Sequence, residues 1–192
     1  ELVFQTAIFW VSRLQCGPDG LLHLYGVVGP DEYKNDVDDN AFTNYMAHWN
    51  IRWAVECCDK LQIEHSSLYR ALDKRLDLAR ARGIWDAALR KMYLPQPDED
   101  GITPQTADYR SLKSIDLSAY KFRERVGSIT DDYTWEELHG MQVSKQADTL
   151  LLFTLLGDYF SKEQKIANWH YYEPRTLNDS SLSLCTHSIL AS

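Results

Sequence analysis

The chain has 192 residues, with 28 Asp and Glu against 20 Lys and Arg, and a net charge of −8 at pH 7. That length suffices for one domain with a sizeable core, and the acidic balance argues against a nucleic-acid or anionic-membrane partner. The longest apolar stretch, Leu150 to Leu156, is far too short to span a bilayer and suits a buried helix.

The four cysteines, Cys16, Cys57, Cys58 and Cys185, include an adjacent pair and no CxxC, which fits reduced core thiols in a cytoplasmic protein better than a disulfide framework. The six histidines have neither HxxxH nor HExxH spacing, so no metal site is expected. Tyrosine (11) and tryptophan (6) are abundant; such rings fill helical cores and also line sugar pockets, and composition does not choose between the two. Residue 1 is Glu, and the helix pattern from Leu2 onward lacks an N-cap, so the chain reads as a fragment of a larger protein.

In chain order, a helix is expected over about residues 1 to 15, with Phe4, Ile8, Val11 and Leu14 on one face. Gly17-Pro18-Asp19-Gly20 is a turn, and Leu21 to Val28 is extended. A second helix starts near Asp38 or Asp39, either of which could cap it, and runs to about Leu61. A third helical region covers about Ser66 to Met92, with a break expected at Gly83. Pro95 to Gln105 is a long loop. Thr134-Trp135-Glu136-Glu137 and Ser161-Lys162-Glu163-Gln164 are capping boxes, each opening a helix, the second ending before Pro174. Between them, Lys145 to Tyr159 reads as a strongly apolar helix, and Leu182 to Ser192 as the start of another. Helices dominate and no βαβ alternation appears; the class is all-α.

Four segments carry chemistry. Gly29-Pro30-Asp31-Glu32-Tyr33 places two carboxylates and an aromatic after a Gly-Pro punctuation, ahead of Val37-Asp38-Asp39-Asn40-Ala41-Phe42-Thr43-Asn44. A proton donor needs a carboxyl on a stiff support in a partly dry pocket, where its pKa can rise; an ordinary acidic turn uses the same residue types. Val143 to Asp148 puts Lys145 and Gln146 in the first turn of a predicted helix, where the dipole disfavours a cation unless it serves a ligand. Tyr171-Tyr172-Glu173-Pro174-Arg175-Thr176 reads most simply as a helix end with a Glu173–Arg175 ion pair. Asn178-Asp179-Ser180-Ser181 offers hydroxyls and free N–H groups at a helix start, which suits phosphate and equally suits plain capping.

Together, in this order, these segments resemble the second half of the catalytic domain of family 65 glycoside hydrolases, which holds the inverting maltose, trehalose, kojibiose and nigerose phosphorylases. GPDEY…VDDNAFTN is similar to the family's GPDEYH…VDNNAYTN, VSKQADTLLL to its KQADV-type segment, and YYEPRTLNDSSLS to its YYEPRTxHDSSLS. The resemblance covers almost the whole chain. It implies a partial (α/α)6 barrel, with residues 1–192 as a single fragment of that catalytic domain. It implies Glu32 as general acid, Lys145 and Gln146 at the bound glucosyl unit, and Ser180 and Ser181 at phosphate.

The activity implied is phosphorolysis of an α-linked glucose disaccharide to β-glucose 1-phosphate and a free sugar. The resemblance implies no cofactor, with the α-glucosyl disaccharide and inorganic phosphate as co-substrates; the full-length parent would be a homodimer. A hydrolase of the same fold and a non-catalytic carbohydrate-binding fragment are the alternatives. Family positions for sugar selection lie before residue 1 and a further phosphate ligand beyond residue 192, so the isolated fragment is expected to be inactive. Three positions depart from the family: Lys34 and Asn178 for histidines, near the expected acceptor and phosphate sites, and Asp39 for an asparagine.

Overall fold

The computed structural model describes residues 1–121 and 127–192, with the side chains of positions 181 and 182 outside the description. The described chain is mainly helical, with one two-stranded antiparallel ribbon. It divides into two compact units: residues 1–25 with 44–94, and residues 26–43 with 95–192.

In the first unit, α1 (Leu2–Arg13) buries Phe4 and Ala7. Phe4 stacks on Trp85 of α4 (Leu78–Lys91) at 5.8 Å between ring centroids. The predicted stripe shifts accordingly: Ile8 is left exposed because α4 meets the face built on Phe4 and Ala7. β1 (Gln15–Cys16) pairs with β2 (Leu22–His23) across the predicted Gly-Pro turn. The predicted break at Gly83 does not occur. Instead α3 (Ser66–Leu76) meets α4 at Asp77, whose backbone is left-handed at φ 50°. Aspartate tolerates that conformation because its short polar side chain can bond locally, whereas Gly83 lies mid-helix with open space around it.

α2 (Ala41–Glu64) begins in the second unit. Its cap is neither Asp38 nor Asp39 but Asn40, whose side-chain oxygen accepts from the Thr43 N–H at 2.9 Å and the Thr43 hydroxyl at 2.8 Å. That satisfies one of the four donors a helix start leaves without partners.

The rest of the second unit is a set of short helices: α5 (Ser118–Lys121), α6 (Trp135–His139), α7 (Thr149–Leu155), α8 (Lys162–Tyr172) and α9 (Ser181–Leu190). Both predicted capping boxes form, at Thr134 and Ser161. The apolar helix is shorter than its pattern suggested: α7 starts only at Thr149, because residues 144–148 bond outside the helix. Tyr33, Leu117, Ile129, Leu138, Met141, Val143 and Leu177 form a buried apolar cluster. Burial of each large side chain contributes roughly 1.5–3 kcal/mol. The cluster therefore anchors the loop of Tyr33, the segment of Val143 and the loop of Leu177 to one another.

Candidate active site

Three loops of the second unit meet on that cluster, and buried polar groups fix them. Segment 30–32 lies along segment 145–148. The Gln146 side-chain amide donates to the Pro30 carbonyl, the Lys145 backbone N–H to Asp31 Oδ1 at 2.9 Å, and the Lys145 ammonium to the Glu32 carboxylate. The Asp31 N–H donates to Asp148 Oδ2 at 3.2 Å. The third loop joins through backbone bonds: Ser144 N–H to the Arg175 carbonyl, Leu177 N–H to the Ser144 carbonyl, and Asp179 N–H to the Lys145 carbonyl, at 2.9, 2.9 and 3.0 Å. The buried Ser183 hydroxyl closes it by accepting from the Ala147 N–H at 2.9 Å.

Beneath these loops lie two fully enclosed carboxylates. Asp31 accepts from Tyr33 N–H at 3.2 Å, from Lys145 N–H, and from the Gln105 amide at 2.9 Å. Asp148 accepts from both Asp31 N–H and the Asn40 amide, the latter at 3.1 Å to each oxygen. Burial raises both carboxyls. Asp148, further raised by the charge of Asp31, reaches about 8. Asp31 has the more donors and the Lys34 charge nearby, which offset part of its burial, so Asp148 is the member that more readily keeps its proton. Gly29 follows from this network: a Cβ there would meet the Asn40 amide and the Asp148 carboxyl.

Glu32 is more open than the sequence pattern suggested. Its side chain is 55% exposed, against 27% for Lys145. The Lys145 ammonium, hydrogen-bonded and close, holds the Glu32 carboxyl below the usual range. The structure shows neither the partly dry pocket expected around it nor the raised pKa. Lys145 and Gln146 are not in a helical first turn either; they precede α7 and bond to the Pro30–Glu32 loop.

Ser180 sits half-buried just ahead of α9, its carbonyl accepting from the Ser183 N–H at 3.1 Å. Ser181 is the first residue of α9, and its side chain lies outside the described residues. Asp179 faces Tyr33, whose hydroxyl is pushed up by burial and then by the Asp179 charge. The serine loop is thus joined to both the loop of Glu32 and Tyr33 and to Lys145.

One sequence expectation is corrected, and two departures from the family gain a setting. Lys34 is 1% exposed, and its ammonium donates to the carbonyls of Leu138, His139 and Met141 at 2.6, 2.9 and 2.5 Å. It adds a charged donor just past the C-terminus of α6, where the dipole favours a cation. Glu173 pairs with Lys121 at 2.7 Å, not with Arg175. Arg175 instead stacks 4.0 Å from the Tyr171 ring centroid and donates to Gln142. Asn178 has φ 59°, a conformation that asparagine accepts more readily than most residues.

Sequence reading overlooked Asn40, Gln105, Asp148 and Ser183 as parts of the site. Asn40 and Asp148 stood inside the quoted motifs, but a polar residue buried by tertiary packing carries no periodic signal. Among the described residues, no helix is long and apolar enough to cross a membrane, and no group of three or more His, Cys, Asp or Glu could hold a metal ion.

Comparison with known proteins gives these loops a context. The chain is 38% identical over 193 residues to a kojibiose phosphorylase of Halothermothrix orenii, covering 99% of this chain and 24% of that protein. It is 35% identical over 201 residues to an alpha,alpha-trehalose phosphorylase of Thermoanaerobacter brockii, covering 100% of this chain and 25% of the relative. A solved structure of a candidate kojibiose phosphorylase from the human microbiome superposes with a TM-score of 0.85 at 28% identity, over 100% of this chain and 26% of that one. The chain thus spans about a quarter of the length of the curated relatives it matches. From residue 1 to residue 192 it matches the glycosyl hydrolase family 65 central catalytic domain, and it belongs to that family.

Proposed function

We propose that residues 1–192 form one part of an (α/α)6-barrel catalytic domain that carries out inverting phosphorolysis of an α-linked glucose disaccharide. Glu32 is the general acid, Lys145 and Gln146 bind the glucosyl unit, and Ser180 and Ser181 bind phosphate. The observation that carries this reading is the Lys145–Glu32 pair beside the serine loop, joined to it through Asp179. Kinship with a kojibiose and a trehalose phosphorylase supports the reaction class.

The chemistry follows from charge. Glu32 in its protonated form gives its proton to the glycosidic oxygen as the bond to the anomeric carbon breaks. A phosphate oxygen attacks that carbon from the opposite face, forming β-glucose 1-phosphate, and the other sugar leaves with the donated proton. Phosphate is already an anion, so no carboxylate base is needed, unlike inverting hydrolysis, where a second carboxylate activates water. Lys145 holds the Glu32 carboxyl below its usual range. A sugar whose hydroxyls take the Lys145 donors weakens that hold, its ring excludes water, and the two changes together raise the Glu32 pKa to what a donor needs.

The isolated 192 residues are inactive in this reading; the full-length parent acts, as a dimer. The test uses the full-length protein with maltose, trehalose, kojibiose and nigerose, with and without inorganic phosphate, detecting β-glucose 1-phosphate. Phosphate-dependent turnover lost in Glu32→Gln is the expected result. Turnover indifferent to phosphate would establish a hydrolase instead.

A further inference from the structure

We propose that Asp31 is the positioning residue of this site: one buried carboxylate that fixes both Glu32 and Lys145 through their backbones. This rests on the reading of Glu32 as the acid and goes beyond it.

The geometry is specific. Asp31 Oδ1 accepts from the N–H of Tyr33, the residue after Glu32, at 3.2 Å, and from the N–H of Lys145 at 2.9 Å. The same oxygen therefore ties down the peptides that carry both members of the ion pair. Asp31 Oδ2 accepts from Gln105 Nε2 at 2.9 Å, and Gln105 Oε1 is already occupied by the Ser144 hydroxyl at 3.0 Å. The site therefore presents three donors to residue 31 and no acceptor. A carboxylate satisfies all three; an asparagine of the same shape would aim its own N–H groups at a donor. Asp31 is fully buried, so water cannot substitute. Glu32 and Lys145 are long, partly exposed side chains, and their approach to a sugar depends on where these peptides are held. Displacement of a reacting group by about 1 Å costs on the order of 100-fold in rate.

The full-length protein provides the test, in two parts. Asp31→Asn should lower kcat about 100-fold with KM within about threefold, because the pair is misplaced rather than removed. Gln105→Met, which removes only the Oδ2 partner, should lower kcat about tenfold in the same pattern, and it carries the test if the Asn variant does not fold. Independently of turnover, Asp31→Ala should strip the backbone amides of Tyr33 and Lys145 of at least about tenfold protection from hydrogen exchange, while α8 and α9 stay protected. Unchanged protection at both amides, or kcat within threefold of wild type in both Asp31→Asn and Gln105→Met, overturns the proposal. Activity retained by Glu32→Gln would instead overturn the acid assignment, and the amide exchange would still judge Asp31.

Discussion

The Lys145 ammonium and the Glu32 carboxylate meet across 113 residues of chain. The contact joins a cation expected at a sugar to a carboxylate expected to donate a proton, and it holds that carboxyl below its usual range. If Lys145 also contacts the glucosyl unit, as proposed, it links sugar binding to the Glu32 proton.

Lys145→Met in the full-length protein should therefore have two effects. kcat/KM falls because the glucosyl contact is gone. The high-pH limb of the kcat/KM profile, which reports the acid in the free protein, moves to higher pH because Glu32 is no longer held down. A profile that keeps its limb while losing amplitude would show that Lys145 does not control the acid.

Asp148 makes stability depend on pH. Its folded pKa, about 8, lies above the ordinary value of 3.8. The folded state thus binds the extra proton between these values, and stability falls as pH rises across that window. The contribution is fully present below about pH 4 and lost as pH passes through about 8. Thermal melts from pH 6 to 9 should show a smaller decline in Asp148→Asn than in wild type. Parallel declines would assign the pH dependence to other groups.

Lys34→Met should destabilise the second unit by about 2 kcal/mol, since it removes the charged donor that Leu138, His139 and Met141 share. Because the Lys34 side chain points into α6 rather than at a sugar, the choice among disaccharides should be unchanged. Denaturant unfolding and the substrate panel together check this; a switched disaccharide preference would contradict the buried placement.

Gly29→Ala should cost about 2 kcal/mol through overpacking, because the added methyl meets the Asn40 amide and the Asp148 carboxyl. Gly83→Ala, in open space mid-helix, should stabilise by up to about 1 kcal/mol. Unfolding curves of the two variants should move in opposite directions.

Much of this was legible in the sequence because it is local. The Thr134 and Ser161 capping boxes need only residues three apart, and both formed. The left-handed break at Asp77 was not legible: Gly83 looked the better breaker, yet a helix interior tolerates glycine at about 1 kcal/mol, and packing of α4 on Phe4 held that turn helical. Similarly, the apolar pattern from Lys145 onward announced a helix, but residues 144–148 exchange helical bonds for partners in segments 30–32 and 175–183.

The sequence by itself determined the helical class, the family, and the four segments that hold the chemistry. Tertiary structure alone decided how they are wired. Asp31, Asp148, Asn40 and Gln105 bond across separations of 65 to 117 residues, and no local pattern encodes such pairings. It also decided that Lys34 faces a helix end and that Glu32 is ionised beside Lys145. Burial and neighbouring charge set what a carboxylate or an ammonium does, and both arise only when distant segments come together.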